Sequence, residues 1–412
     1  MYLTGAYSDI RQKRLLSNAT PQAGFSLVEL MVGLVIGLLA TLVIMQIFSA
    51  FEGQKRTTMG TSDAQTSGSV ALYSIQREVQ LAGYALPLYD RFNMPLNCTS
   101  WSPNLANASG TATSAAVTDD VTDVDHDNNP ATANINLSPI DIIDGGAAAG
   151  ASDRLIIRYG NSASGGVQTK VTAVSPTTNT VTVVNNQGCN QADIVYVVKG
   201  GSCNATIAAD NTLSAVPRTN LTDITLASKV GIVVDAKLAC LGAWNQYSYQ
   251  VTANQLMRQD ARQAAATPVV DGIVNIQAQY GISDNPQSNR ITRWVDAING
   301  WAAPDNVGGT AACDDAATTA TAHRGCIKAV RVAVVARNSL LEKTAVSTAC
   351  SSISLENPTG LCAWDATSAN PVHAMDAPTI DLTNVADWNR YRYKVYETII
   401  PLRNIVWTRS RL

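Results

Sequence analysis

The fold is decided near the amino terminus, where residues 24–51 read GFSLVELMVGLVIGLLATLVIMQIFSAF. Glu29 is the only charged residue in this stretch, and nearly all the others are apolar or small. A helix of this length extends about 40 Å, which is enough to cross a hydrocarbon core of about 30 Å. The stretch therefore predicts a membrane-spanning helix.

The residues before the apolar run favour one orientation of this helix. A polar leader, residues 1–24, carries basic residues at 11, 13 and 14. Basic residues beside a membrane span favour the cytoplasmic side, although Lys55 and Arg56 beyond the span reduce the asymmetry. The remainder of the chain is then expected across the membrane.

A secretory signal peptide and an ordinary single-span anchor are two other interpretations. A signal peptide is cleaved after its apolar run at a small-x-small pattern, which residues 48–51, FSAF, match poorly. An ordinary anchor leaves Glu29 unexplained, because a carboxylate inside a membrane segment costs roughly 3 kcal/mol and usually has a function.

Residues 24–29, Gly-Phe-Ser-Leu-Val-Glu, resemble the processing site of type IV prepilins. The resemblance implies that a prepilin peptidase cleaves between Gly24 and Phe25 and that the new amino group of Phe25 is methylated. It also gives Glu29 a function, which is to neutralise the α-amino group of a neighbouring subunit in an apolar fibre core. Two buried charges that are each costly alone become tolerable as a pair.

The composition argues against nucleic-acid binding. Only 15% of the 412 residues are charged, and the net charge is −3. Such a chain has no overall basic footprint, so nucleic-acid binding is not expected.

The cysteines indicate an oxidising compartment. Eight cysteines all lie after residue 90, and no two of them form a Cys-x-x-Cys pair, so disulfides fit better than a zinc site or free cytosolic thiols. Sequence cannot fix their connectivity. Pairing nearest neighbours gives Cys189–Cys203, Cys313–Cys326 and Cys350–Cys362, and leaves Cys98 with Cys240.

The helix is expected to continue beyond the membrane to about residue 82. Its apolar stripe has helical spacing and consists of Leu72, Ile75, Val79 and Ala82. Three glycines that each cost about 1 kcal/mol of helix propensity predict a bend or a frayed stretch: Gly53, Gly60 and Gly68.

The remainder reads as a β-rich head. Strands are predicted at 155–159, 167–174, 180–184, 327–335 and 391–400, of which the second and third form a hairpin around residues 175–179. A short helix is predicted at 290–298. Two polar stretches, about 99–150 and 299–325, read as surface insertions.

Several segments of the head resemble the PilW-type minor pilins. They follow in order along nearly the whole chain: residues 76–84, 152–159, 238–240, 271–273, 279–281, 328–332 and 398–404. The expected fold is α+β, a long pilin helix packed on a disulfide-containing head. The expected division is a leader at 1–24, a transmembrane half-helix at 25–52, a periplasmic half-helix at 53–82 and a head at 83–412.

The sequence offers no pattern typical of an enzyme. Its three histidines, His126, His323 and His373, lie in no catalytic motif, and no phosphate-binding glycine loop is present. One candidate metal site has oxygen ligands at alternate positions, as calcium loops do: Asp123, Asp125, Asp127 and Asn129. Asn128 and Asn134 stand where such loops need Gly and a bidentate Glu, which counts against calcium binding. No other cofactor is expected.

The resemblance implies a minor pilin that primes type IV pilus assembly and enters the fibre at its tip. Before assembly, such a protein is held in the inner membrane with its head in the periplasm. Its implied partners are other minor pilins, the major pilin, the prepilin peptidase, the inner-membrane assembly platform and, as a candidate, a tip adhesin. The alternatives are a J-type pseudopilin of a type II secretion system, and a head that itself acts as an adhesin or surface sensor.

Overall fold

The structure is a computed structural model. It describes residues 24, 26–86, 105–106, 112–113, 138–199, 202–210, 220–226, 232–261, 263, 265–298, 301–302, 313, 324–350, 360–364 and 380–407. Residues 1–57 and 58–412 belong to two separate compact units.

One long helix, α1, runs from Leu27 to Leu81. Its apolar first half contains long-chain helix formers such as Leu and Met, and small or polar residues take over after Glu52. The helix is unbroken across all three glycines, so the predicted fraying is wrong. Two of these glycines, Gly60 and Gly68, are buried against the head, which stabilises the helix there.

In the part of the chain that the structure describes, the head has seventeen strands, two single-turn 3₁₀ helices at Arg324–Cys326 and Trp388–Arg390, and a short terminal α-helix. Their bounds are β1 Leu105–Ala106, β2 Ala112–Thr113, β3 Ile140–Ile143, β4 Arg154–Tyr159, β5 Gln168–Val174, β6 Thr180–Val183, β7 Ile194–Lys199, β8 Ser202–Asp210, β9 Asp223–Leu226, β10 Lys237–Cys240, β11 Asn245–Thr252, β12 Gln255–Asp260, β13 Thr267–Asp271, β14 Ile273–Ile282, β15 Arg293–Val295, β16 Ile327–Arg337, β17 Tyr393–Pro401 and α2 Arg403–Trp407.

The strands form two open sheets, a closed barrel and a small β1–β2 pair. The five-stranded sheet has the order β13-β12-β11-β4-β3, and the four-stranded sheet has the order β15-β14-β16-β17. The barrel closes in the order β10-β5-β6-β9-β8-β7. Every named strand pair is antiparallel, as expected for a head made of hairpins and meanders.

The barrel is inserted between two neighbouring strands of the five-stranded sheet. Tyr159 at the end of β4 pairs with Asn245 at the start of β11, so the chain leaves the sheet and returns to it at adjacent positions. The interior of the barrel has its own core, which includes Val171, Val183 and Leu238. The outer side of β7 and β10 contributes Tyr196 and Ala239 to the main core instead.

The main core lies between the second half of α1 and the two open sheets. It joins Ile75 and Val79 of α1 to Leu155 of β4 and Val332 of β16. Strand β16 is buried on both faces, because Ala333 and Val335 belong to a further cluster with Leu361, Trp364 and Leu382. A strand buried on both faces reads as an apolar run, which explains the sequence of residues 327–336.

Most strand predictions are confirmed. The 168–174 and 180–183 strands pair as the predicted hairpin, and 154–159, 327–337 and 393–401 are strands. The helix predicted at 290–298 is wrong. Residues 293–295 form β15 instead, because they pair with the end of β14 and bury Trp294 in that sheet.

The polar stretch predicted at 99–150 also contains a buried element. Strand β3 lies inside it, and Ile140 and Ile142 are in the main core. Interpreting the whole stretch as a surface insertion was therefore wrong for residues 140–143. The surrounding polar composition concealed this short strand.

Three disulfides join described cysteines. Cys313–Cys326 and Cys350–Cys362 confirm the nearest-neighbour prediction. The pairing of Cys189 with Cys203 and of Cys240 with Cys98 is wrong, because Cys189 is bonded to Cys240 with a Cα–Cα distance of 5.1 Å. Barrel closure brings residues 51 positions apart together, which spacing alone does not reveal. Cys98 and the side chain of Cys203 lie outside the described part.

Candidate functional site

The site predicted from the processing motif lies at the start of α1. The helix begins just after Ser26, whose carbonyl accepts a hydrogen bond of 3.1 Å from the amide of Leu30. Gly24 is exposed and precedes the helix, and Phe25 lies outside the described residues. Glu29 is in the first turn, where a negative charge is favourable beside the helix N-terminus.

The first half of α1 is an exposed apolar surface. Every residue from Leu27 to Phe51 is exposed, and the large apolar side chains range from 49% exposed at Leu42 to 78% at Met45. Within the described residues, α1 is the single helix that is long and apolar enough to cross a membrane. Apolar surface of this extent must be covered by lipid or by other proteins.

A pair of oppositely charged residues lies at the end of this surface. Arg56 donates a hydrogen bond of 3.0 Å to the carboxylate of Glu52 one turn earlier. Beyond this pair the buried face of the helix begins, and its first buried residue is Gly60.

The second half of α1 contacts the head through small residues before it does so through large ones. The buried residues in order are Gly60, Ala64, Gly68, Ala71, Ile75, Glu78 and Val79. A Cβ at Gly60 would meet the side chain of Asn338, and a Cβ at Gly68 would meet the ring of Tyr396 on β17. The predicted apolar stripe thus covers only the end of the contact. Its first part is made by glycine and alanine, which a search for large apolar residues overlooks.

A buried charge connects α1 to the five-stranded sheet. Glu78 is only 9% exposed and accepts hydrogen bonds from Arg258 (3.1 Å) and from the hydroxyl of Tyr159 (2.7 Å). The Arg258 guanidinium also lies 3.7 Å from the ring centroid of Tyr247. Burial, together with the hydrogen bond to Glu78, raises the pKa of Tyr159. The arrangement fixes the rotation of α1 against the sheet.

The C-terminal end of α1 is held by strand and turn residues. Gly83, at φ 76°, donates from its amide to the carbonyl of Arg158 at 2.9 Å. The carbonyl of Tyr84 accepts a bond of 2.8 Å from the amide of Gly160, and Asn404 donates to the carbonyl of Ala82 at 3.0 Å. These bonds satisfy backbone groups that a helix end leaves without partners.

Segments on which the PilW resemblance depended meet at this helix end. Residues 76–84, 152–159 and 398–404 supply the helix terminus, β4 and the β17–α2 corner that contact one another there. Asp153 extends the arrangement to β14 by accepting a hydrogen bond of 2.7 Å from the amide of Ala278. Weak local patterns that are far apart in sequence therefore form one structural unit.

The candidate calcium residues Asp123, Asp125, Asp127 and Asn129 lie outside the described part of the chain. Among the residues that are described, no group of three or more His, Cys, Asp or Glu side chains is placed to hold a metal ion. The calcium loop stays a prediction from sequence.

Two family models match the chain. The model described as "Prokaryotic N-terminal methylation motif" matches residues 20–45, and the model described as "Type IV Pilus-assembly protein W" matches residues 245–404. The first match covers the processing motif and the start of α1. The second begins at the first residue of β11 and runs into α2. No curated protein and no solved structure matches the chain.

The apolar helix, the methylation motif and the β-rich disulfide-bonded head define a membrane-anchored type IV pilin-like protein. Within that class, residues 245–404 are similar to the PilW type of pilus-assembly protein.

Proposed function

We propose that this protein is a structural subunit, not an enzyme, which primes type IV pilus assembly and is then incorporated in the fibre. Before assembly it is held in the inner membrane by residues 25–52, with its head in the periplasm. Its partners in this role are other minor pilins, the major pilin, the prepilin peptidase and the inner-membrane assembly platform.

One observation carries the proposal: Glu29 is the only charged residue between Leu27 and Phe51, on a largely apolar and exposed helix surface. Glu29 lies among side chains that are 51–76% exposed from Leu27 to Val32. Surrounding that carboxylate with lipid alone costs roughly 3 kcal/mol. The methylated α-amino group of Phe25 on a neighbouring subunit would offset this cost as a buried ion pair.

The position at the tip is supported by the size of the head. Residues 83–412 include two open sheets and a complete barrel. A head of this bulk is difficult to pack laterally along a shaft, whereas an end subunit escapes that crowding. Immunogold labelling should decorate pilus ends, and uniform decoration of the shaft would contradict the placement.

The first experiment is mass spectrometry of the mature amino terminus. We expect the chain to begin at Phe25 and to carry an N-methyl group there. Replacing Gly24 with a bulky residue should leave the leader uncut, because the peptidase must approach the backbone closely. An intact leader in cells with an active peptidase would contradict the proposal.

The second experiment compares two acidic residues of the same helix. Glu29→Ala should abolish recovery of the protein with other pilins and reduce piliation, since the ion pair is lost. Glu52→Ala is the matched control, because Glu52 lies beyond the apolar run and pairs with Arg56 on an exposed face. Equal effects of the two substitutions would remove the special role of Glu29.

Deleting the gene distinguishes two machines that use similar subunits. A pilus subunit should affect piliation, whereas a J-type pseudopilin should affect exoprotein secretion and leave pili intact.

A recognition role for the head is a second candidate, and the barrel favours it. Residues 168–240 lie outside both family matches and have their own core. Val184 and Leu221 are 62% and 44% exposed and belong to neighbouring segments, since the amides of Val183 and Asn186 donate to the carbonyls of Thr222 and Leu221. Replacing both with Lys should reduce surface attachment without changing piliation, and unchanged attachment would count against this role.

A further inference from the structure

Strand β17 runs beside the second half of α1 and in the same direction. The ring of Tyr396, near the middle of the strand, lies against Gly68. Asn404, just beyond the strand, donates a hydrogen bond of 3.0 Å to the carbonyl of Ala82. Both chains therefore advance together, and the beginning of β17 lies beside the beginning of this half-helix.

The chain itself keeps this end of the head near the apolar run. Asn338 directly follows β16 at the end that pairs with the beginning of β17, and it contacts Gly60. Gly60 comes nine residues after Phe51, the last residue of the apolar run. Nine residues extend about 14 Å as a helix and at most about 32 Å as an extended chain. Gly60 therefore stays within that distance of the apolar run, whatever the angle between the two compact units.

Two segments form the surface of the head at this end, residues 337–347 and 387–394, which we call the basal surface. The amide of Glu342 donates a hydrogen bond of 2.9 Å to the carbonyl of Arg390, and further backbone hydrogen bonds join the same two segments. The hydroxyl of Ser347 also donates to the second segment. The basal surface is therefore a defined part of the head and not a pair of independent loops.

The basal surface carries more cations than acids. Its two acids are each paired with an arginine, Glu342 with Arg392 at 2.8 Å and Asp387 with Arg390 at 3.4 Å. Three more cations of this surface form no ion pair with a residue that the structure describes: Arg337, Lys343 and Lys394.

Acids on adjoining elements leave this balance positive. Asp63 belongs to α1 and Asp271 ends β13, and with both counted the cations outnumber the acids by five to four. The whole chain, in contrast, has a net charge of −3. Lys343 and Lys394 are exposed, so their ammonium groups are available to an external anion.

Apolar and aromatic side chains lie among these cations. Leu341 is 39% exposed, two residues before Lys343. Trp388 and Tyr391 are half-buried, and the Arg337 guanidinium lies 4.6 Å from the ring centroid of Tyr391. Trp and Tyr are enriched where a membrane meets water, and Lys can bury its aliphatic stem there while its charge reaches the headgroups. The composition of the basal surface is thus suited to a membrane boundary.

We infer that the basal surface binds the anionic phospholipid headgroups of the membrane in which α1 is anchored. Lys343 and Lys394 contact lipid phosphates, and Leu341 enters the boundary between headgroups and acyl chains. A bilayer is the occupant because the connection through Gly60 holds this surface within reach of it. The inference rests on the membrane-anchored stage of the proposed function, before the subunit enters a fibre.

The first test places the photoreactive residue p-benzoylphenylalanine at position 341 of the full chain. The protein is reconstituted in vesicles of phosphatidylcholine, with and without phosphatidylglycerol, and lipid adducts are measured by mass spectrometry after illumination. The matched control is the same residue at position 221 beside the barrel, because Leu221 is 44% exposed and Leu341 is 39% exposed. With phosphatidylglycerol present, position 341 should give at least about fivefold more lipid adduct than position 221, and high salt should reduce the difference.

The second test removes the two exposed cations. Lys343→Gln combined with Lys394→Gln should reduce the phosphatidylglycerol adduct at position 341 about tenfold, because each cation near an anionic surface contributes about a factor of five. Lys170→Gln combined with Arg290→Gln is the matched control, since it removes the same charge from exposed positions outside the basal surface, and it should leave the adduct unchanged. Equal thermal midpoints of the two double variants serve as the check of folding.

Four results would overturn the lipid site alone. They are equal adducts at positions 341 and 221, equal adducts with and without phosphatidylglycerol, no effect of the two lysine substitutions, and a cross-link from position 341 to a second copy of the chain. In each case the chain still floats with the vesicles, so the proposed function is unaffected. A chain that the vesicles do not retain would overturn the membrane-anchored stage of the proposed function, and this inference with it.

Discussion

At the scale of single residues, the helix glycines have a function that their propensity does not reveal. Gly60 and Gly68 weaken a helix in isolation, and sequence reasoning therefore predicted fraying there. In the folded protein they let Asn338 and Tyr396 approach the helix axis closely. Their value lies in a contact with residues more than 270 positions away, which no local pattern contains.

This contact predicts the effect of adding one methyl group. Gly68→Ala gains up to about 1 kcal/mol of helix propensity but displaces the Tyr396 ring, and overpacking costs about 1–3 kcal/mol. We expect a net loss of about 1 kcal/mol, measured by thermal unfolding of the full chain in mild detergent. Gly53→Ala is the matched control, because a Cβ there meets nothing within 4 Å, and it should be neutral or stabilising. A Gly68→Ala protein as stable as wild type would contradict the contact.

Asp153 makes the head sensitive to pH. It is 4% exposed and accepts hydrogen bonds from the amides of Gly145 (2.9 Å) and Ala278 (2.7 Å). Burial raises its pKa to about 7 from an ordinary value of 3.8, and the nearby charge of Asp144 contributes. The folded protein thus binds this proton more tightly than the unfolded chain does.

The sign of the effect follows from linkage. The stabilising contribution of the Asp153 proton is fully present below about pH 4 and is lost as the pH rises through about 7, with a total on the order of 4 kcal/mol. Chemical denaturation should show the stability of wild type relative to Asp153→Asn falling between about pH 4 and pH 8. Asp235→Asn on the exposed surface should show no such fall. A pH-independent difference between wild type and Asp153→Asn would contradict a raised pKa.

At the scale of elements, the sequence predicts the helices and strands that are determined by residues close together in the chain. The apolar helix, the 168–183 hairpin and the alternating strand at 327–337 depend on neighbouring residues, and each is present. The short strand β15 was mistaken for a helix because its identity depends on pairing with β14. Barrel closure depends on six strands at once, and it was not foreseen.

The residues of the candidate site also differ in whether their sequence signal is local. Gly24, Phe25 and Glu29 can be predicted from sequence because their motif is contiguous, whereas no local pattern distinguishes Glu78. In the run Gln76-Arg77-Glu78 it looks like one more exposed helix charge. Only the approach of Arg258 and Tyr159, both distant in sequence, makes it a buried connection.

The barrel should depend on its own disulfide. Replacing Cys189 and Cys240 together with Ala removes a link between residues 51 positions apart, which is worth about 4 kcal/mol in the unfolded-chain entropy estimate. Amide hydrogen exchange should accelerate in β5, β6 and β10, while β14 and β16 remain protected. Replacing Cys350 and Cys362 should leave the barrel amides unchanged. Full protection of the barrel without Cys189–Cys240 would show that its core alone is sufficient.

At the scale of the whole molecule, the buried part of α1 begins only in the second half of the helix. No described residue of α1 before Gly60 is buried, and residues 58–412 form one compact unit. A fragment that begins at Thr58 should therefore fold in an oxidising buffer without detergent. Its thermal midpoint should lie within a few degrees of that of the full chain in detergent. Aggregation of the oxidised fragment would show that the apolar half of the helix is needed for folding.

Tyr159 and Asn245 are direct neighbours in the five-stranded sheet. The barrel is therefore connected to that sheet at two adjacent positions. Sequence of any length can be gained or exchanged between two such points without moving the strands that carry them. Related chains can thus differ greatly in size and surface while retaining the same helix and sheets. The outer surface of the head can diversify in this way independently of the helix and sheets that carry it.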